Sequence, residues 1–323
     1  MNKRPAIHKM TLNVPIMGLN ASLSEAKTLI EKNIKKYSTI NYIYMVDEEK
    51  KLKAVFSIKD LYESPPDTKV EKISIKSPLI SVLPETSQEV AAVHALRHNI
   101  KAMPVVDKNG IFLGVIPSDT ILSIIYKEAR EDLMRIAGVH PGHAVYDDIL
   151  KIPFLLALKH RIPWIIIGLF GGVFAASIID GFEDVLKNNL VLASFIPLIV
   201  YMGGAVNTQI VTFAVRDLSS FHKIKFWQYF LKHLSVVMVI AVLSGIILAS
   251  INSILGADIL ISLVLGVALI FAVLSSVFTG LVVPFVFNKL KIDPANASGP
   301  IATIIQDILS IVIYFSVASW LLF

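Results

Sequence analysis

The two halves of the chain have different hydrophobic rhythms. Through about residue 135, apolar runs are short and alternate with stretches of helical spacing, the mixture of a small α/β or α+β domain. From Ile162 to Phe323 the runs lengthen, with apolar segments at 162–180, 190–215, 226–254, 259–287 and 297–322. Each can cross a hydrocarbon core of ~30 Å, which takes ~20 helical residues. The pattern predicts an all-α polytopic membrane domain of five transmembrane helices, and an odd number places the two ends of the chain on opposite sides.

The first half contains a repeat. Ile43 to Asp47 (IYMVD) is followed thirteen residues later by Asp60, within SIKDL. Met103 to Asp107 (MPVVD) is followed at the same distance by Thr120, within PSDTI, so the two stretches stand 60 residues apart. Upstream of each, SLSEAKTLI (22–30) and TSQEVAAVH (86–94) carry a Ser or Thr ahead of Glu, the mark of a capped helix. Each unit then reads helix, strand, strand, helix. Over roughly residues 9–130 this resembles a tandem pair of CBS domains. The resemblance implies an adenine nucleotide, ATP or a relative, in the cleft between repeats, with Ser57 and Asp60 as its contacts in repeat one. Repeat two departs from the pattern with Pro117 and Thr120. Read from the residues alone, Asp60 caps the helix it opens. Either way the pair reads as regulatory.

Charge follows the same division. Residues 1–161 hold 23 of the 30 Lys and Arg and 18 of the 25 acids, so the net +5 belongs to the first half. There is no cysteine, which excludes a disulfide framework and thiolate metal sites. The first residues lack the apolar stretch of a secretory signal, so the first half is expected in the cytoplasm. The loop charges agree. His160 and Arg161, then Arg216, Lys223 and Lys225, then Lys289 and Lys291 all fall on one side, and the opposite loops are net acidic. The positive-inside rule therefore expects a cell-membrane protein with a cytoplasmic amino end and an extracytoplasmic carboxyl end. The expected division is 1–70 for repeat one, 71–135 for repeat two, 136–161 for an amphipathic connecting helix and 162–323 for the membrane domain. On and around the connector, Glu128, Glu131, Asp132, Asp147 and Asp148 read first as a solvated face with pairs such as Asp147 to Lys151. His94 and His98 share a helix face without a visible third metal ligand, and His140 and His143 flank a turn.

Two polar features interrupt the apolar spans. In Met202-Gly-Gly-Ala-Val-Asn-Thr-Gln209, paired glycines are expected to loosen the second span and turn carbonyls toward a cavity, with Asn207 one turn after Gly203. Carbonyl and amide oxygens are ligands for a hard cation. Asp307 is the only Asp, Glu, Lys, Arg or His between Asn296 and Phe323. A carboxylate there costs at least ~2.5 kcal/mol and calls for water, a partner or a cation. Asn296, Thr303, Asp307 and Ser310 fall on one helical stripe. Gly168 and Gly172, and Ser275, Ser276, Thr279 and Gly280, read as sites of close helix packing.

The stretches EDLMRIAGV, RIPWIIIGLFGGVFAASI, PLIVYMGGAVNTQ and DPANASGPIATIIQDILSIVIYF resemble the MgtE family of magnesium channels, related to the solute carrier 41 transporters. A CBS pair ahead of five spans is also that family's architecture; its amino-terminal acidic helical domain has no counterpart ahead of the repeat here. The resemblance implies a homodimer in the bilayer with an intersubunit pore lined by spans two and five. It further implies a hydrated Mg²⁺ held by Asp307 with Gly203, Gly204, Ala205, Asn207 and Thr303, and the five connector acids as a cytosolic Mg²⁺ sensor that closes the channel. Where the family has Asn after MGG and Gly two positions later, this chain has Ala205 and Asn207, which bears on the choice between Mg²⁺, Co²⁺ and Mn²⁺. The expected function is Mg²⁺ import driven by membrane potential. A Na⁺- or H⁺-coupled exchanger and a membrane-anchored sensor that transports nothing are the alternatives. No nucleophile–base pair or phosphate loop suggests an enzyme, and nothing suggests a nucleic-acid partner.

Overall fold

A computed structural model describes residues 4–65, 68–73, 75–76, 79–139, 150, 152–219, 224–295 and 298–322. It divides into two compact units, residues 2–129 and residues 130–323, with the division falling inside one helix.

In the first unit, the two repeats keep the spacing read from the sequence. Helix α1 (Leu23–Asn33) leads to β2 (Tyr42–Val46), β3 (Leu52–Ser57) and α2 (Ile58–Glu63). Helix α4 (Gln88–Arg97) leads to β5 (Ala102–Val106), β6 (Phe112–Pro117) and α5 (Ser118–Ile136). From β2 to α2 every element starts 60 residues before its counterpart. Strand β1 (Ile16–Gly18) pairs in parallel with β2, and β4 (Ile75–Lys76) extends the first sheet beyond β3. A short helix α3 (Val70–Ile73) precedes β4. The caps are local. Ser22 and Glu25 form a capping box at the start of α1, and Ser87 accepts from the Val90 N–H at the start of α4.

The Val-Asp ending of each strand also has a local cause. Asp47 Oδ1 accepts from the Lys51 N–H at 2.8 Å, and Asp107 Oδ1 from the N–H groups of Asn109 and Ile111 at 2.8 and 2.7 Å, closing the hairpin turns. Desolvation pushes the Asp47 carboxyl up, but the Lys51 N–H and the Lys53 ammonium outweigh it and hold it below the usual carboxylate range. The repeats join through equivalent positions. The Leu52 N–H donates to Gly110 and the Phe112 N–H to Lys50, a reciprocal pair that gives the unit its internal two-fold character. Tyr44 of repeat one stacks on Phe112 of repeat two with ring centroids 4.9 Å apart. Both are buried, so neither repeat has a complete core alone.

The second unit contains five helices long and apolar enough to cross a membrane: α6 (Phe154–Asp180), α8 (Val191–Ser219), α9 (Phe226–Ile254), α10 (Ile259–Lys289) and α11 (Ser298–Leu322). A short α7 (Glu183–Asn188) links α6 and α8. Four of the five match the expected spans within a few residues. The first starts earlier: α6 is helical from Phe154, where the connecting helix was expected to end at 161, and it continues through Pro163. Of the rest of that connector, 140–149 and 151 lie outside the described residues. Helix α10 packs against α8, α9 and α11, and α11 packs in turn against α6 and α8. More of α10 is buried than of any other span, as its position against α8, α9 and α11 requires. Large side chains of α6 such as Leu169, Phe170 and Val173 are exposed, as suits a surface facing lipid.

Candidate functional site

The polar residues of the spans gather where α8, α10 and α11 meet. Helix α8 runs unbroken through Gly203 to Gln209, so the paired glycines do not loosen it as expected. They make room instead. A Cβ on Gly203 would lie 2.5 Å from Ser310 Oγ and 2.8 Å from Gln306 Nε2, so only glycine lets α11 approach α8 this closely. Gly204, one residue on, faces Asp307: its Cβ would sit 3.6 Å from Asp307 Oδ1, an ordinary contact.

Around this approach lies a buried hydrogen-bond network. Gln306 Nε2, with two protons, lies within hydrogen-bond distance of the Ala272 carbonyl (3.0 Å), Ser275 Oγ (3.0 Å) and Ser310 Oγ (2.9 Å). The Thr279 hydroxyl lies 2.6 Å from Gln306 Oε1 and 3.0 Å from the Asn207 amide oxygen. Gln306, Asn207, Ser310 and Thr279 are each almost fully buried. In an apolar surrounding such groups hold the helices in one register, because an unmade hydrogen bond costs about 1–3 kcal/mol. Among the described residues, the second terminal atom of the Asn207 amide has no hydrogen-bond partner.

Beside the network is a cavity of about 380 Å³, lined in part by Trp164, Asn207, Thr208, Thr303, Ile304 and Asp307. Asp307 is half-buried. Among the described residues its carboxylate has no hydrogen-bond or ion-pair partner. Thr303 and Thr208 donate their hydroxyl protons back to the Gly299 and Gly204 carbonyls at 2.9 Å, which leaves hydroxyl lone pairs for the cavity. The wall thus offers a carboxylate and two hydroxyls, chiefly acceptors, which is the chemistry of a hydrated hard cation.

The expected stripe on α11 divides between two surfaces. Thr303 and Asp307 line the cavity, whereas Ser310 turns into the network with Gln306. Asn296 lies outside the described residues. Gly203, Gly204 and Ala205 are not among the residues lining the cavity, although Gly204 faces Asp307. On α6 the close approach is at Gly171, whose Cβ would meet Ile304 Cγ2 at 2.6 Å. Within the chain, Gly168 and Gly172, expected to mediate packing, have open space there. Gln306 was missed by the sequence reading. The signal was an amide beside Asp307 in an otherwise apolar helix.

Two comparisons bear on this helical region. The family model described as "MgtE: Divalent cation transporter" matches residues 196–317, from within α8 to within α11, and a CBS domain model matches residues 70–127. The "Magnesium transporter MgtE" of Enterococcus faecalis is 30% identical over 312 residues, covering 96% of this chain and 67% of that protein. The chain belongs to the MgtE family. Two further proteins of the same name, from Bacillus subtilis and Thermus thermophilus, are 31% and 32% identical over 87% and 88% of the chain. The chain spans 61% and 62% of their lengths. Within the MgtE model's range fall Asn207, Thr279, Gln306 and Asp307, all the principal groups of the network and cavity.

The other expected site residues of this MgtE chain lie apart. Asp60 is half of a capping box: Ser57 N–H and Oγ donate to Asp60 Oδ2 at 2.9 and 2.7 Å, and the Asp60 N–H donates to Ser57 Oγ. A polar cleft of about 560 Å³ in the same unit is lined instead by His8, Thr11, Ser38, Asp119 and Thr120, on the side of repeat two. Glu128 accepts from Gln88 Nε2 at 2.8 Å, and Glu131 pairs with Arg135 at 3.1 Å. Asp132 also has an interaction partner. Asp147 and Asp148 lie outside the described residues. His94 and His98 stand with ring centroids 5.8 Å apart. Among the described residues, no three His, Asp or Glu side chains gather as a metal centre.

Proposed function

We propose that this chain conducts Mg²⁺ across the cell membrane as a homodimer, importing it down the membrane potential. The observation that carries the reading is the Asp307 carboxylate. It stands in a membrane-spanning helix, at a cavity walled by oxygen-bearing side chains, with no partner of its own among the described residues. A carboxylate in that setting calls for a mobile counter-charge. Mg²⁺ suits it because the ion gives up its waters reluctantly and is held by one or two carboxylates acting through them. The names of the three bacterial relatives support the choice of ion. Pairing two copies about the cavity would set two Asp307 carboxylates facing one path.

The same proposal gives the CBS pair a regulatory role. Helix α5 begins as the last helix of repeat two and ends among the membrane helices, so it is a covalent route for a change in the first unit to reach α11. Cytosolic Mg²⁺ held by acids of α5 and the connector, Glu128, Glu131, Asp132, Asp147 and Asp148, would favour the closed state. Coupling of that kind is reciprocal in binding free energy. The loop charges support a cytoplasmic amino end and an extracytoplasmic carboxyl end.

Mg²⁺ uptake into proteoliposomes under an imposed potential, with and without a Na⁺ or proton gradient, tests the channel reading. Uptake that follows potential alone is expected. Strict dependence on either gradient would make the chain an exchanger, and no uptake of any divalent ion would leave it a sensor.

A further inference from the structure

Helix α9 carries a polar strip on the side turned away from its neighbours. Lys225, at the cap of the helix, and then Gln228, Lys232 and Ser235 follow at spacings of three, four and three residues, which sets them along one face. All four are exposed. Further along, the same face continues as Val236, Val239 and Leu243, exposed by 50, 58 and 56%. On the opposite face Val237, Ala241, Gly245 and Leu248 are buried, and a Cβ on Gly245 would lie 2.7 Å from the Gly266 carbonyl of α10. The strip therefore looks out to lipid.

Trp227 marks the level of the membrane surface on this helix. It is 70% exposed and meets Phe226 and Phe230 edge to face, with ring centroids 5.7 and 5.8 Å apart, as suits an indole among head groups. Lys232 stands five residues further in, about 7.5 Å deeper at ~1.5 Å per residue. Its methylenes lie in lipid, and the lean of helical side chains toward the helix start carries its ammonium back to the surface. A charge at that depth requires a counter-charge. The chain supplies none: α9 contains no Asp or Glu, and among the described residues neither Lys225 nor Lys232 has an ion-pair partner. Asp217, at the adjoining end of α8, is already held by Arg216 Nε at 2.7 Å and the Tyr229 hydroxyl at 2.9 Å.

We propose that Lys225, Gln228 and Lys232 bind the head group of an anionic phospholipid, whose acyl chains lie along Val236, Val239 and Leu243. The phosphate takes charge-assisted hydrogen bonds from the two ammoniums, and the Gln228 amide between them donates to the same group. A zwitterionic lipid brings its own cation beside the phosphate, which two lysines repel, so the strip selects a head group of net negative charge. A free anion matches the polar part of the face and leaves the apolar part bare. The amphiphile covers both. The inference holds whatever ion the chain moves.

The test uses the full chain in detergent, with phosphatidylglycerol, phosphatidylcholine or inorganic phosphate added, and reads bound lipid by native mass spectrometry alongside the melting temperature. Phosphatidylglycerol should stay bound and raise the melting temperature more than phosphatidylcholine does, and inorganic phosphate should do neither. Lys232→Gln should weaken phosphatidylglycerol binding about tenfold, the effect of losing one charge-assisted hydrogen bond, while Lys232→Arg keeps it. Lys289→Gln, which removes an exposed charge at the end of α10, is the control and should leave binding unchanged. Should Lys232→Gln not fold, Lys225→Gln carries the same expectation. Equal binding of the two lipids overturns the proposal, as does an equal loss in Lys289→Gln, which would mean diffuse attraction to the whole basic surface. Stabilisation by inorganic phosphate alone makes the strip a site for a free anion and overturns the lipid. A change of oligomeric state in Lys232→Gln, with lipid binding intact, makes the face a contact between copies of the chain and overturns it too.

Discussion

Arg135 and Asp293, 158 positions apart in sequence, form an ion pair with a nitrogen–oxygen distance of 2.5 Å. Arg135 closes the end of α5, and its second nitrogen holds Glu131 one turn back. Asp293 sits in the turn before α11, where its other oxygen accepts from the Ala295 N–H at 3.1 Å. Next to this pair, Gly299 in the first turn of α11 leaves no room for a Cβ against the Ile136 carbonyl. The end of α5 is therefore fastened to the start of the helix that carries Asp307. In the proposed function, this fastening would make α5 the covalent route from the CBS pair to α11.

All three side chains are about four-fifths shielded, so the pair should contribute more than a surface ion pair and less than a fully buried one, about 1–3 kcal/mol on breaking it. Arg135→Ala and Asp293→Ala are expected to lower the melting temperature, with the double variant costing little more than either alone. Arg135→Lys should recover only part, since an ammonium cannot serve Asp293 and Glu131 in the planar geometry of a guanidinium. Melting in detergent checks this. Additive losses would show that the two residues act separately.

Gly203 and Gly204 should respond oppositely to alanine. Gly203→Ala pushes a methyl against Ser310 and Gln306 and is expected to destabilise by about 1–3 kcal/mol, as overpacking does. Gly204→Ala meets nothing closer than 3.6 Å and should gain about 0.5–1 kcal/mol of helix stability. Melting temperatures of the two variants read the difference. Equal responses would mean that α8 and α11 do not meet at Gly203.

The orientation of the spans can be read by labelling, because the chain has no native cysteine. Single cysteines at Asn188, at the end of α7, and at Ser219, at the end of α8, flank one membrane crossing. An impermeant reagent added outside cells should modify the first and not the second. Modification of both from outside would contradict the orientation.

Much of this was legible in the sequence because the signals are local. Spans of uniform apolarity, capped helices and the 60-residue spacing depend on neighbours along the chain, and they placed the membrane helices and the repeat elements within a few residues. Asp307 stood out because a charge in an apolar helix is costly wherever its neighbours lie. Gln306 did not, since an uncharged amide costs less and three of its four partners, Ala272, Ser275 and Thr279, come from another helix. Nor did the pairing of Arg135 with Asp293, which only the fold brings together. The glycines of α8 were noticed for the wrong reason. Their value is the closeness of α11, which the pattern of α8 alone does not contain. Ser57 and Asp60 show the converse: the local capping box that sequence predicts is formed, and the polar cleft lies on the side of the other repeat.

The central claim is that Asp307 faces the path of Mg²⁺. It is tested most directly by Mg²⁺ uptake into proteoliposomes containing the wild type or Asp307→Ala, with melting temperatures measured on the same preparations. Losing the one carboxylate at the cavity should reduce uptake at least about tenfold, the effect of little more than 1.4 kcal/mol, while the variant remains folded. Wild-type uptake in a folded Asp307→Ala protein would contradict the account.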